Sequence, residues 1–162
     1  MNEEDQRLKV VFDCNIFLQG VIKEKGPAVG CIELFEQGKV ELFISNEVLN
    51  EVRDVLTRPM LQQKFSLLTD ERANKLIEML FKQATLIHPV PHKFRYSRDP
   101  KDEPYVNLAA AAGVEFIVSR DNDLLDLMTG ITDECKEFRQ RFRPLKVIDP
   151  VEFLKRFETQ QE

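Results

Sequence analysis

Short apolar runs rich in β-branched residues alternate along the chain with segments whose apolar residues recur at helical spacing. Leu8-Lys9-Val10-Val11-Phe12 reads as a buried strand. Val40-Glu41-Leu42-Phe43-Ile44, Thr85-Leu86-Ile87, Val114-Glu115-Phe116-Ile117-Val118 and Leu145-Lys146-Val147-Ile148 read as four more. Gly26-Pro27 opens a helix that carries Val29, Ile32, Leu34 and Phe35 and closes at Gly38. Ser45 or Asn46 caps another, with Val48, Leu49, Val52, Val55 and Leu56 on one stripe, and Pro59 ends it or starts the next. Asp70 begins a third, whose apolar stripe is Ala73, Leu76, Ile77, Leu80 and Phe81. Pro89, Pro91 and Pro100 mark a loop. A helix then runs from Asp102 through Tyr105, Val106 and Leu108 to a stop at Gly113, and a helical turn falls at Leu124-Leu125. Asp149-Pro150, a cap followed by proline at the first helical position, starts a last helix through Phe153 and Leu154. Strand and helix alternate throughout, which predicts a three-layer α/β/α domain with a mostly parallel sheet of about five strands. With no repeat, low-complexity block or linker, it reads as one domain over residues 8–158, between tails at 1–7 and 159–162.

Composition narrows the class. At 162 residues, 43% hydrophobic and 31% charged, the chain can bury a core without disulfide staples. No apolar run approaches the roughly 20 residues that span a bilayer, and the acidic start Asn2-Glu3-Glu4-Asp5 is the reverse of a secretory signal. Cys14, Cys31 and Cys135 are irregularly spaced, form no C-x-x-C pair and stand apart from His88 and His92. That pattern argues against a zinc finger and for a reducing, cytoplasmic setting. With 28 acidic against 23 basic residues, the net charge of −5 argues against a general basic coat for nucleic acid.

The acids carry the chemistry. Asp13 follows the first strand directly and Asp121 follows the fourth, so both stand at the carboxyl edge of the sheet, where open α/β folds bind ligands. Asp102 opens a helix facing the same rim, and Glu51 lies one to two turns into the helix after the second strand. Singly, each has a plainer reading: Asp102 as a helix cap, Asp99 as a turn former before Pro100, Glu51 as a solvated helix residue, and Asp121 and Asp123 as turn residues. As a set, carboxylates without histidine or thiolate suit a hard cation such as Mg²⁺ or Mn²⁺, which polarises a phosphodiester and activates water. Without a cation, like-charge repulsion should raise the pKa of at least one of them. Setting Asp13, Glu51, Asp102 and Asp121 aside leaves acids and bases nearly balanced, so the acidity is local to one cleft.

Four blocks occur in order: Val11-Phe12-Asp13-x-Asn15, Ser45-x-x-Val48-Leu49-x-Glu51-Val52, Arg98-Asp99-Pro100-x-Asp102 and Val118-Ser119-x-Asp121-x-Asp123-Leu124-Leu125. A fifth, Ile148-Asp149-Pro150-x-Glu152-Phe153-Leu154, closes the chain. Together they resemble the PIN-domain nucleases, in particular the VapC-like branch of toxins from toxin–antitoxin pairs. The resemblance implies a sandwich of helices around a five-stranded parallel sheet and metal-dependent cleavage of RNA. It implies Asp13, Glu51, Asp102 and Asp121 as the acidic metal site, with Asp123 as a fifth member. Asn15 would orient Asp13 or a bound water, and Ser119 would support Asp121. A small antitoxin in the groove and a homodimer are implied likewise.

Two positions depart from the pattern: Cys14 where threonine is more usual, and Arg120 where glycine is common. Arg120 would bind substrate phosphate or pair with a carboxylate. Residues 132–144 also form a longer segment, with Lys136, Arg139, Arg141 and Arg143 interleaved with Phe138 and Phe142. Arg139 and Arg141 are candidate contacts for single-stranded RNA; the plainer reading is an amphipathic helix with core phenylalanines and solvated arginines. Two other functions compete. A haloacid-dehalogenase-type phosphatase needs a second aspartate two residues after the first, where Asn15 stands. A catalytically silent module acting through a protein partner would not need the whole acidic set.

Overall fold

Val10, Val11 and Phe12 are all buried, as are Leu42 to Ser45 and Phe116 to Val118, so the central strands are covered on both faces. The computed structural model describes residues 6–161. Five strands form one wholly parallel sheet: β1 (Leu8–Phe12), β2 (Val40–Ser45), β3 (Thr85–Ile87), β4 (Phe116–Val118) and β5 (Lys146–Ile148), in spatial order β3-β2-β1-β4-β5. The register pairs Val10 with Leu42 on one side and with Phe116 on the other. Strand order reverses between β1 and β4, which opens a crevice at their carboxyl ends.

Nine helices connect and cover the sheet among the described residues: α1 (Cys14–Ile22), α2 (Pro27–Glu36), α3 (Asn46–Leu56), α4 (Pro59–Lys64), α5 (Asp70–Gln83), α6 (Glu103–Ala112), α7 (Asn122–Leu125), α8 (Asp133–Arg141) and α9 (Pro150–Gln161). α6 packs across β1, β2 and β4, while α9 packs against α2. Gly30 permits that second approach: a Cβ there would stand 3.1 Å from Leu154 Cδ1. Among the described residues, no helix is long and apolar enough to cross a membrane.

Several expectations need adjustment. α1 was not anticipated as a helix; Asp13 caps it by accepting a hydrogen bond from Ile16 N at 3.1 Å, and it buries Ile16, Phe17 and Val21. β4 begins at Phe116 because Val114 N bonds back to Ala109 O after the left-handed Gly113 (φ 66°). Phe81 is 60% exposed and lies under the Arg53 guanidinium, so it does not belong to the buried stripe of α5. Residues 132–144 fold as the amphipathic α8, capped by Thr132, with Phe138 buried against Phe94. Of the expected N-terminal tail, only Gln6 and Arg7 fall within the described residues, and 159–161 continue α9.

Asp149 Oδ1 accepts from Glu152 N at 2.8 Å and so caps α9, whose Phe153 is fully buried. Its ring meets Phe12 and Phe116 edge-on, with centroids 6.2 and 6.1 Å apart. Phe153→Ala should lower the unfolding free energy by about 3–5 kcal/mol through the cavity it leaves. Denaturant titration checks this; a loss below about 1 kcal/mol would show that α9 does not close the core.

Candidate metal centre

Asp13 leaves β1 at the strand-order reversal and is 4% exposed. Its Oδ1 accepts from Ile16 N, and its Oδ2 accepts a very short hydrogen bond from the Ser119 hydroxyl. Ser119 Oγ in turn accepts from Asp121 N at 2.9 Å, and Asp121 Oδ1 accepts from Asp123 N at 2.7 Å. One serine thus joins the ends of β1 and β4 and sets the direction in which Asp121 leaves the sheet.

The segment before α6 is tied down independently. Asn107 Oδ1 accepts from Lys93 N and Phe94 N at 2.9 and 2.8 Å, and Glu103 Oε2 accepts from Tyr96 N at 2.8 Å. The Tyr96 hydroxyl donates to Asp123 O at 2.7 Å, crossing from this segment to α7. Anchored in this way, residues 99–102 bring two further carboxylates over the carboxyl edge. One carboxylate oxygen from each of Asp99, Asp102, Asp121 and Asp123 lies within 4.8 Å of the others. Asp102 is 6% exposed, makes no capping bond, and its buried Oδ2 has no hydrogen-bond partner. An unpaired buried carboxylate oxygen is costly unless a cation or proton supplies its partner.

Like Asp13, Glu51, on α3, does not join that group of four. Its Oε1 accepts from the Tyr105 hydroxyl at 2.9 Å, and the same hydroxyl accepts from Cys14 N at 3.1 Å. Tyr105, buried on α6, therefore ties α3 to the start of α1 and holds Glu51 on the Asp13 side of the crevice. Burial, then Glu51 and Asp13, pushes the Cys14 thiol well above its usual range. Burial also raises Asp13 to about 6 against the lowering effect of its Ser119 and Ile16 bonds, with Asp121 and Glu51 adding to the rise. Asp102 is pushed up to about 8 by burial first, then by Asp121, Asp99, Asp13 and Asp123. Both carboxyls are raised by burial before crowding, and the smaller contributions of the neighbouring acids link the two halves of the crevice electrostatically.

Other candidates are placed differently. Asn15 is exposed and makes no hydrogen bond to Asp13; Ser119 does the orienting. Arg120 is exposed and makes no ion pair among the described residues. The cation at the cluster is instead Arg98, whose Nε and Nη1 lie 2.7 and 2.8 Å from Asp123 Oδ1 and Asp126 Oδ2. Asp99 and Arg98 were not assigned to the site, although the Arg-Asp-Pro-x-Asp spacing placed both beside Asp102. Arg139 spends both terminal nitrogens on Leu127 O and Gly130 O, at 2.9 and 2.8 Å. Arg141 bonds Lys93 O and Glu137.

An all-carboxylate set with one orphaned oxygen fits a hard divalent ion and offers nothing to a soft one. The PIN domain family matches residues 9–123, a span that contains Asp13, Glu51, Asp99, Asp102, Asp121 and Asp123. The chain belongs to the PIN domain family. PIN domains are usually metal-dependent nucleases, and this one has the acidic cluster that such chemistry uses. The PIN domain is also similar, at 27% identity over 155 residues, to MJ1680 of Methanocaldococcus jannaschii, an uncharacterized protein. That match covers 96% of this chain and 95% of the relative.

Both raised carboxyls bind protons more tightly folded than unfolded. Their stabilising contribution is complete below about pH 4 and is lost as pH rises through about 6 for Asp13 and about 8 for Asp102. The metal-free protein should therefore lose stability between about pH 4 and 8. Asp102→Asn should remove the upper part of that loss and exceed wild type near pH 9 by a few kcal/mol. Chemical denaturation across pH in EDTA is the check, and parallel curves for the two proteins would refute it.

Proposed function

We propose that the chain is an endoribonuclease that hydrolyses RNA phosphodiesters with Mg²⁺ or Mn²⁺ in the cytoplasm. The observation that carries this reading is the orphaned Asp102 Oδ2, buried among the Asp99, Asp121 and Asp123 carboxylates at the strand-order reversal. A divalent ion bound there would supply Lewis-acid polarisation of the phosphodiester and offset charge on its leaving oxygen. Asp102 and Asp121 are its main holders, with Asp99 and Asp123 at the outer side. Asp123 is already partly neutralised by Arg98.

The remaining residues act by position. Ser119 and Ile16 N hold Asp13 with both oxygens directed, so it faces Asp121 without turning. The Tyr105 hydroxyl fixes Glu51 opposite. Both histidines are exposed in the segment after β3, so no imidazole base takes part in this reading. The HAD-type phosphatase reading gains no support: Asn15, where its general acid would stand, is exposed and unbonded.

Asp13→Asn, Asp102→Asn and Asp121→Asn should each cut Mn²⁺-dependent RNA cleavage by about 10²-fold or more, with folding retained by circular dichroism. Activity unchanged in all three would refute the metal site. Equal cleavage of single-stranded DNA of the same sequence would refute RNA specificity.

The toxin role rests on the five sequence blocks shared with that branch. A small antitoxin would then enter the crevice and place a basic side chain among the carboxylates, acting on a homodimer. Expression of the chain alone should arrest growth and expression of Asp13→Asn should not; arrest by both would separate toxicity from the acidic site.

A further inference from the structure

At the opposite edge of the sheet, the amino-terminal ends of β4 and β5 border a cavity of about 450 Å³. This is within the size range of small-ligand pockets. Its charge is the reverse of that at the carboxyl edge. Arg141, Arg143, Lys146 and Arg156 line it, against the single acid Glu115. All four cations lie beyond the residues that match the PIN domain family.

Two of them are pre-positioned. The Arg141 guanidinium stacks 5.2 Å over the Phe142 ring, and that of Arg156 lies 5.5 Å over Phe116. Each also pairs with a carboxylate one turn back on its own helix, Glu137 and Glu152. Those pairs engage Nη1 of Arg141 and Nε of Arg156, leaving further N–H donors of each fork uncommitted. The other two cations are free: Arg143 and Lys146 are exposed, and their side chains make no hydrogen bond or ion pair among the described residues. The carboxyl end of α6 also reaches the cavity wall, but its dipole is worth only about half a charge. Glu137 and Glu152 offset Arg141 and Arg156, and Glu115 with that dipole opposes part of the rest, so the positive charge left over belongs to Arg143 and Lys146. A protein of net charge −5 has concentrated four cations around one hollow, half of them anchored and half unpaired.

We propose that this cavity is a second, non-catalytic site that binds the phosphate of a nucleotide unit. Arg143 and Lys146 approach the anion, while the stacked Arg141 and Arg156 present fixed N–H donors to it. The nucleotide comes either free or as part of a single strand. In the second case the cavity anchors a strand on the face away from the metal centre. The site requires neither a divalent ion nor cleavage, so it stands or falls separately from the nuclease reading.

The test uses the full-length chain in EDTA, which stops metal-dependent turnover. One arm titrates a free nucleoside monophosphate by calorimetry; the other titrates a fluorescent 5′-phosphorylated single-stranded oligonucleotide by anisotropy. Binding is expected in at least one arm, and Arg143→Ala/Lys146→Ala should weaken it at least tenfold while Lys82→Ala, which removes an exposed cation on α5, leaves it unchanged. For the oligonucleotide, the double variant should also reduce the salt slope by about 1.4, the share of two phosphate contacts on a single strand. Binding in the first arm assigns the free nucleotide, and binding in the second alone assigns the strand. Two results would overturn the proposal: no binding in either arm, or binding that the double variant leaves intact. Because both substituted side chains are exposed and unbonded, loss of the fold does not confound the comparison.

Discussion

The architecture turns on bringing like charges together where water is scarce. Asp13 and Asp102 are almost wholly buried; Asp121 raises both further, Glu51 adds to the rise at Asp13, and Asp99 and Asp123 add to it at Asp102. Nothing about such a cluster is self-stabilising, since burial and mutual repulsion both favour the neutral form. The surrounding fold holds it by hydrogen bonds that leave few alternatives. Ser119 binds Asp13 and the Asp121 backbone together, Tyr105 holds Glu51, and Arg98 takes up charge from Asp123 and Asp126. Among the described residues, the one buried side-chain oxygen left without a partner is Asp102 Oδ2, where compensation falls to a cation or a proton.

α6 is the element through which most of this is arranged. Asp102 precedes it, Glu103 and Asn107 fasten the segment that carries Arg98 and Asp99, and Tyr105 reaches α1 and α3. Its packing across β1, β2 and β4 places these side chains directly over the strand-order reversal. The helix also stops at Gly113 against the basic cavity, so one short element lies between an acidic crevice and a cationic hollow.

Most of the fold was legible because its strands are short apolar runs and several helices carry clear starts: Ser45 and Asp149 both cap as their sequence contexts suggest. α1 was hidden because Ile16-Phe17-Leu18 reads equally as strand or helix, and Asp13 drew attention as a ligand candidate before it was seen as a cap. Phe81 was misplaced for the opposite reason: helical spacing put it beside Leu80, but in three dimensions it faces outward under Arg53. At the site, Asp13, Asp102 and Asp121 could be picked out from their positions after strands or before a helix. Asp99 could not, since an aspartate before proline has an adequate local explanation as a turn former and its approach to Asp121 depends on bonds from Asn107 and Glu103.

The sequence by itself determined the alternating α/β order, the parallel sheet and the acids at the strand ends, because these depend on periodicity and on which residue follows each strand. Only the tertiary structure decided which acids meet. Asp99 joins Asp102, Asp121 and Asp123, while Glu51 is held aside by Tyr105, and Arg98 rather than Arg120 supplies the neighbouring cation. Those choices follow from how a loop, a helix and two strand ends are fastened across the sheet. Such fastenings join residues as much as 106 positions apart, as between Asp13 and Ser119, and no local pattern in a single chain encodes them.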